Sequence, residues 1–109
     1  MPFQLRREEV LDGEQLKAML AENPARAAQA ILLAARQGIV DGQALLGQIL
    51  LDGQGIERDP ALARRWFQIA ANADHLMARN MLGRCWELGW GGPVDWTLAS
   101  LEYRQAAEA

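Results

Sequence analysis

Leu46 to Ala71, reading LGQILLDGQGIERDPALARRWFQIAA, is the stretch that decides the fold. It holds an apolar segment with Leu46, Gly47 and Leu50, a turn with Gly53 and Gly55, and a second segment opened by Asp59-Pro60. In that second segment Ala63, Trp66, Phe67, Ala70 and Ala71 recur at i, i+3, i+4, i+7 and i+8, the spacing of one helix face. The unit is therefore helix, glycine turn, helix. Sliding the sequence by 36 residues lays Pro24, Ala27, Ala34, Ala35, Leu46, Gly47, Gly53 and Gly55 on Pro60, Ala63, Ala70, Ala71, Leu82, Gly83, Gly89 and Gly91 without a gap. A second slide lays Asp59, Ala63, Phe67, Ala70 and Ala71 on Asp95, Ala99, Tyr103, Ala106 and Ala107. A fixed period of this length predicts a stacked array of helical hairpins, because one hairpin cannot bury its apolar face alone. The expected class is all-α, an α-α superhelix of three antiparallel hairpins, six helices in all.

The order L-G-x-x-x-x-x-G-x-G-[IV]-x-x-D-x-x-x-A-x-x-W-[FY]-x-x-A-A in Leu46–Ala71 resembles the Sel-one-like repeat, a relative of the tetratricopeptide repeat with a longer loop inside each hairpin. The resemblance covers roughly residues 23–109. It implies an α-solenoid that works by holding other proteins, with the first helix of each hairpin lining the concave surface. Cysteine-rich members of that family are associated with binding and hydrolysing β-lactams, and they carry a cysteine pair in each repeat. This chain has one cysteine.

Two regions follow from the pattern: residues 1–22, a lead-in and N-terminal capping helix, and residues 23–109, the repeat array. Leu5, Val10 and Leu11 are expected to tuck onto the first helix. Asp12 and Gln15 have the spacing of a capping box ahead of an apolar stripe at Leu16, Met19 and Leu20. Asn23-Pro24, Asp59-Pro60 and Asp95 sit where helices should start: a short side chain accepts from the free N–H groups, and proline loses only an N–H that lacks a partner. Gly38 suits a left-handed helix end. Gly47 and Gly83 fall within helices, where glycine costs about 1 kcal/mol relative to alanine, so close approach of the paired helix, with Ala70 and Ala71 lacking bulk, is the expected reason. Glu102 stands where Trp66 stands one unit earlier; an ionisable side chain there is expected to meet water, as in a C-terminal cap.

The 109 residues suffice for one domain, half of them hydrophobic and 23% charged, as in ordinary globular chains. A net charge of -3 argues against nucleic acid, which selects a basic face. Ten of the eleven cations are arginine, which favours planar contacts with carboxylates and so suits protein partners. A single cysteine, Cys85, fits a reducing compartment. MPFQLRREEV lacks the apolar run of a signal peptide and no stretch has the length of a membrane span, so the expected location is the cytoplasm, with no membrane partner.

Reactive chemistry finds little support. Asp52–Asp59 resembles a calcium loop in its first positions, yet Ile56 and Glu57 stand where oxygen and glycine are needed. A phosphate loop would need a strand before it and Lys-Ser/Thr after it. His75 is the only histidine, so no metal site or cofactor is expected, and a hydrolase built on Cys85 and His75 is the weakest reading. Trp66 and Trp86 read as core, Trp96 as half exposed, and Trp90, replacing Gln54 in the turn, as either an exposed interface aromatic or a ring folded over Pro93. Ala44, Gln48 and Asp52, then Asn80, Arg84 and Glu87, form a row on the side of the first helices away from the core. The expectation is a non-catalytic interaction module that grips a partner protein or peptide through Gln48, Asp52, Asn80, Arg84, Glu87 and Trp90. Asn80 and Arg84 are suited to main-chain amides or a carboxylate. A structural protomer that pairs with itself through terminal helices, with Leu16, Met19, Leu98 and Leu101, is the rival.

Overall fold

The computed structural model describes residues 13–109, with side chains from Ala18 onward. The Asp12–Gln15 capping box, the contacts expected of Leu5, Val10 and Leu11, and the inward side chain of Leu16 lie outside the described residues. Six helices follow one another: α1 (Gly13–Glu22), α2 (Pro24–Arg36), α3 (Val40–Asp52), α4 (Pro60–Asn72), α5 (Leu76–Leu88) and α6 (Trp96–Glu108). No strand occurs among the described residues.

The helix limits repeat with the sequence. Asn23, Asp59 and Asp95 accept from the N–H groups of Arg26, Leu62 and Leu98 at 3.2, 3.1 and 2.9 Å. Pro24 and Pro60 occupy the first turns behind them. Gly53 and Gly89 end α3 and α5 in the left-handed conformation. Gly38 is also left-handed, and its equivalent one unit later is Asp74 at φ 64, a residue whose short polar side chain tolerates that region better than most.

Each helix packs on the next. In addition α3 touches α5, whereas α2, α4 and α6 do not touch one another. The first helices of the hairpins are therefore crowded together and the second helices splayed, which puts α3 and α5 on the inner side of the curve. Between the layers runs one core that includes Ile31, Leu46, Ile49, Phe67, Leu82 and Cys85, all nearly or fully buried.

The helical glycines show how the layers meet. A Cβ on Gly47 would stand 2.7 Å from Phe67 Cδ1 and Cε1, and one on Gly83 would stand 2.7 Å from Tyr103 Cε1. The paired helix does come close, but the bulk that requires glycine is an aromatic ring lying flat on α3 or α5, not the backbone beside Ala70 and Ala71. Between units, Gly55 at φ +73 lies against the carbonyl of Pro24, and Gly91 at φ +76 lies against that of Pro60, both closer than any Cβ allows. Each turn is thus seated on the first turn of the preceding unit's second helix.

Glu102 corrects the expectation of a water-facing cap. It is only 8% exposed, and its Oε2 accepts from Arg79 Nη1 at 3.3 Å. Arg79 also donates to the Ala71 carbonyl at the end of α4. One unit earlier Gln43 donates to the Ala35 carbonyl at 3.3 Å. Positions 43 and 79 thus tie down the same helix end, and the arginine in the second unit supplies the charge that lets a carboxylate occupy the tryptophan position.

Candidate functional site

On the inner side, Asp41, Leu45, Gln48 and Asp52 of α3 recur at i, i+4, i+7 and i+11, and Met77, Met81, Arg84 and Leu88 of α5 stand 36 residues further on. Gln48 Nε2 donates to Asp52 Oδ2 at 2.8 Å. His75 joins the two helices. Its Nδ1 accepts from the N–H of Ala78, capping α5, so Nε2 carries the proton it donates to Asp41 Oδ1 at 2.8 Å. That contact fixes the start of α5 against the first turn of α3.

The row expected from sequence divides. Gln48, Asp52 and Arg84 lie on the inner face. Ala44 does not: it is fully buried, as Leu51 nearly is, because α5 covers that side of α3. Their equivalents Asn80 and Glu87 are exposed on the corresponding side of α5, which is the edge of the array. Glu87 accepts from the Tyr103 hydroxyl at 2.9 Å, and partial burial together with that carboxylate pushes the Tyr103 phenol up. Neither Asn80 nor Arg84 has a hydrogen-bond or ion-pair partner among the described residues. Two apolar side chains missed by sequence reasoning lie beside Arg84: Met77, 36% exposed, and Leu88, 53% exposed. Met77, Arg84 and Leu88 stand at i, i+7 and i+11, a usable signal of one shared face.

Trp90 is half-buried and packs against the core. Its ring is turned onto the core rather than standing free in the turn. Arg64, which the sequence reading passed over, holds this turn. Its side chain is buried, 4.4 Å over the ring of Trp86. Nε donates to the Trp90 carbonyl at 2.8 Å, and Nη2 to the carbonyls of Cys85 at 2.7 Å and Pro93 at 3.2 Å. A guanidinium at the carboxyl end of α5 meets the carbonyls of the turn and the negative pole of the helix. Its i, i+3 and i+7 relation to Phe67 and Ala71 placed it on the buried stripe. Trp66 and Trp86 border the core as expected, whereas Trp96 is 73% exposed, more than half.

Cys85 and His75 do not meet as a reactive pair. Ten residues along one helix separate them by about 15 Å, and His75 is occupied as a cap. The Cys85 side chain is fully buried, and that burial raises the thiol above its ordinary value, partly offset by Arg64. Among the described residues no three metal-ligating side chains cluster, and no helix is long and apolar enough to cross a membrane.

A family model described as the Sel1 repeat matches residues 40–75. No curated protein matches. Among solved structures, a Sel1 repeat protein from Oxalobacter formigenes is 28% identical at a TM-score of 0.79, over 91% of this chain and 39% of that one. The protective antigen c5321 of uropathogenic Escherichia coli, which displays an SLR fold, is 24% identical at 0.79 over 94% of this chain and 24% of its own. Cysteine rich protein B of Helicobacter pylori is 17% identical at 0.76, over 94% and 72%. The last two likenesses concern the fold alone, and the chain spans well under two thirds of the first two proteins. Residues 40–75, from the start of α3 to the cap of α5, match the Sel1 repeat, and the helices on either side give the chain the fold of Sel1 repeat proteins.

Proposed function

We propose that this chain is a non-catalytic interaction module that holds a segment of a partner protein against the inner face of α3 and α5. The observation that supports it is the strip around Arg84: a guanidinium without a hydrogen-bond or ion-pair partner among the described residues, set between Met77 and Leu88, two apolar side chains left in water. Arginine gains most from a planar carboxylate, and exposed apolar side chains gain from being covered. The segment that fits both needs is a peptide with an apolar side chain next to a carboxylate. Gln48 and Asp52 supply a donor and an acceptor for its main chain. His75 and Cys85 are occupied in structure, so no group on this face is poised for bond breaking. The net charge of -3 disfavours a phosphate backbone as the partner. A buried, reduced Cys85 suits the cytoplasm.

Selection from a displayed random-peptide library, followed by calorimetric titration, tests this reading. The expected result is peptides sharing an apolar residue beside Asp, Glu or a free carboxyl end, bound about 10-fold or more weakly by Arg84→Glu, since a lost charge-assisted contact is worth roughly 1.5–3 kcal/mol. Peptides that bind wild type and Arg84→Glu alike would refute the inner face as the site.

A further inference from the structure

At the outer end of α6 one position differs from its equivalents on α2 and α4, where a glycine turn is seated on the first helical residue. Gly55 sits on Pro24 at the start of α2, and Gly91 sits on Pro60 at the start of α4. The third equivalent position is Trp96, and no described residue sits on it: its 73% exposure is the highest of any large hydrophobic residue described. Beside it an open groove of about 460 Å³ is lined by Thr97, Ser100, Leu101 and Arg104. Arg104 has no hydrogen-bond or ion-pair partner among the described residues.

We propose that this surface joins two copies of the chain, with α6 of one packed antiparallel on α6 of the other about a twofold axis at Ser100. Trp96, Ser100 and Arg104 stand at i, i+4 and i+8, and Thr97 and Leu101 form the row beside them. Rows of that spacing are the ridges that mesh in the commonest helix crossing. With the axis at Ser100, a small side chain lies where the backbones come closest, and Trp96 of each copy faces Arg104 of the other. A guanidinium over an indole is the strongest of the cation–ring pairings, and the Asp95 carboxylate one residue away gives the same arginine an anion. One chain therefore supplies both halves of the contact, as a closed, twofold interface requires. A head-to-tail stack lacks this match, because the Gly-x-Gly turns that would seat on Trp96 are already seated on Pro24 and Pro60 of their own chain. The surface leaves the inner face of α3 and α5 free, so it stands apart from the function proposed above. A single helix pair covers less than the roughly 1,200 Å² of a standard interface, which points to a dimer that dissociates at micromolar concentrations.

Sedimentation equilibrium over a wide concentration range, with circular dichroism as a control for folding, tests the pairing. The expected result is a mass that rises from the 12.1 kDa of one chain towards twice that value, with association weakened about 10-fold or more in Trp96→Ala and in Arg104→Glu. Oxidation of Ser100→Cys should link two copies at least several-fold faster than oxidation of Gln29→Cys, an exposed position on α2; the native Cys85 is buried and does not compete. A mass that stays at one chain throughout, a dimer that Trp96→Ala leaves intact, or equal linking at the two introduced cysteines would overturn the proposal. The first of these would reassign the surface to a different protein.

Discussion

Gly47→Ala should destabilise the fold although alanine is the better helix former. The new methyl group would stand 2.7 Å from Phe67 Cδ1 and Cε1 and 3.0 Å from Cζ, against the ~3.5–4.0 Å at which carbon atoms pack. The ring must retreat by close to 1 Å, yet Phe67 is fully buried, in a core that includes Leu46, Ile49 and Leu82. Overpacking of that kind costs about 1–3 kcal/mol, and replacing a helical glycine returns roughly 0.5–1 kcal/mol. The net loss is about 1–2 kcal/mol, or a melting temperature lower by about 5–10 °C for a domain of this size. Gly83→Ala meets the same geometry at Tyr103, but that ring is half-buried on the last helix and can tilt outward, so the two terms should nearly cancel. Urea unfolding of both variants, followed by far-UV circular dichroism, measures the contrast. In the double variant Gly47→Ala, Phe67→Leu the losses should fall short of their sum, since the smaller side chain relieves the collision. A Gly47→Ala protein as stable as wild type, or more so, would refute the argument that the ring sets the residue.

Arg64→Leu removes the donors to three carbonyls of the turn and of α5 and should cost about 2–3 kcal/mol. The exposed neighbour Arg65→Leu should stay within about 0.5 kcal/mol, and equal losses in the two would contradict the structural role of Arg64. Stability should also fall in alkali. Cys85 is raised in the folded state above its ordinary 9.0, so the unfolded chain releases the proton first. The stabilisation is complete below the unfolded value and is lost as pH rises past it; Tyr103, raised from 10.0, acts in the same direction. Unfolding midpoints measured from neutral pH upward should decline beyond about pH 9, and less steeply in Cys85→Ala; an unchanged slope in that variant would contradict the assignment.

The fold was legible because each layer of sequence information repeats at one interval. Caps at Asn23, Asp59 and Asp95, glycines at 47 and 83, and turns at 53 and 89 agree with one another, and no single one had to be decisive. What escaped depends on which neighbour covers a helix. Ala44 and Asn80 occupy the same position in their units, but α5 covers the first and leaves the second open, a difference that periodicity cannot express. Glu102 was legible as a departure and misread in its consequence, since Arg79 reaches it from 23 residues away. Trp90 depended in the same way on Arg64, 26 residues earlier, holding the turn down. Of the inner face of α3 and α5, Gln48, Asp52 and Arg84 were readable from spacing. Met77 and Leu88 were not singled out, because apolar residues on an amphipathic helix are ordinarily assigned to the core.

Photo-crosslinking in the cells that make the protein tests the inner-face assignment most directly. A photoreactive phenylalanine analogue is placed at Arg84, at Met77, or at the exposed Gln29 of α2. The account predicts one partner protein linked from positions 84 and 77 and absent from position 29, and lost when unlabelled peptide from the library selection is added in excess. The same partner linked equally from position 29, or from there alone, would contradict the claim that α3 and α5 hold it.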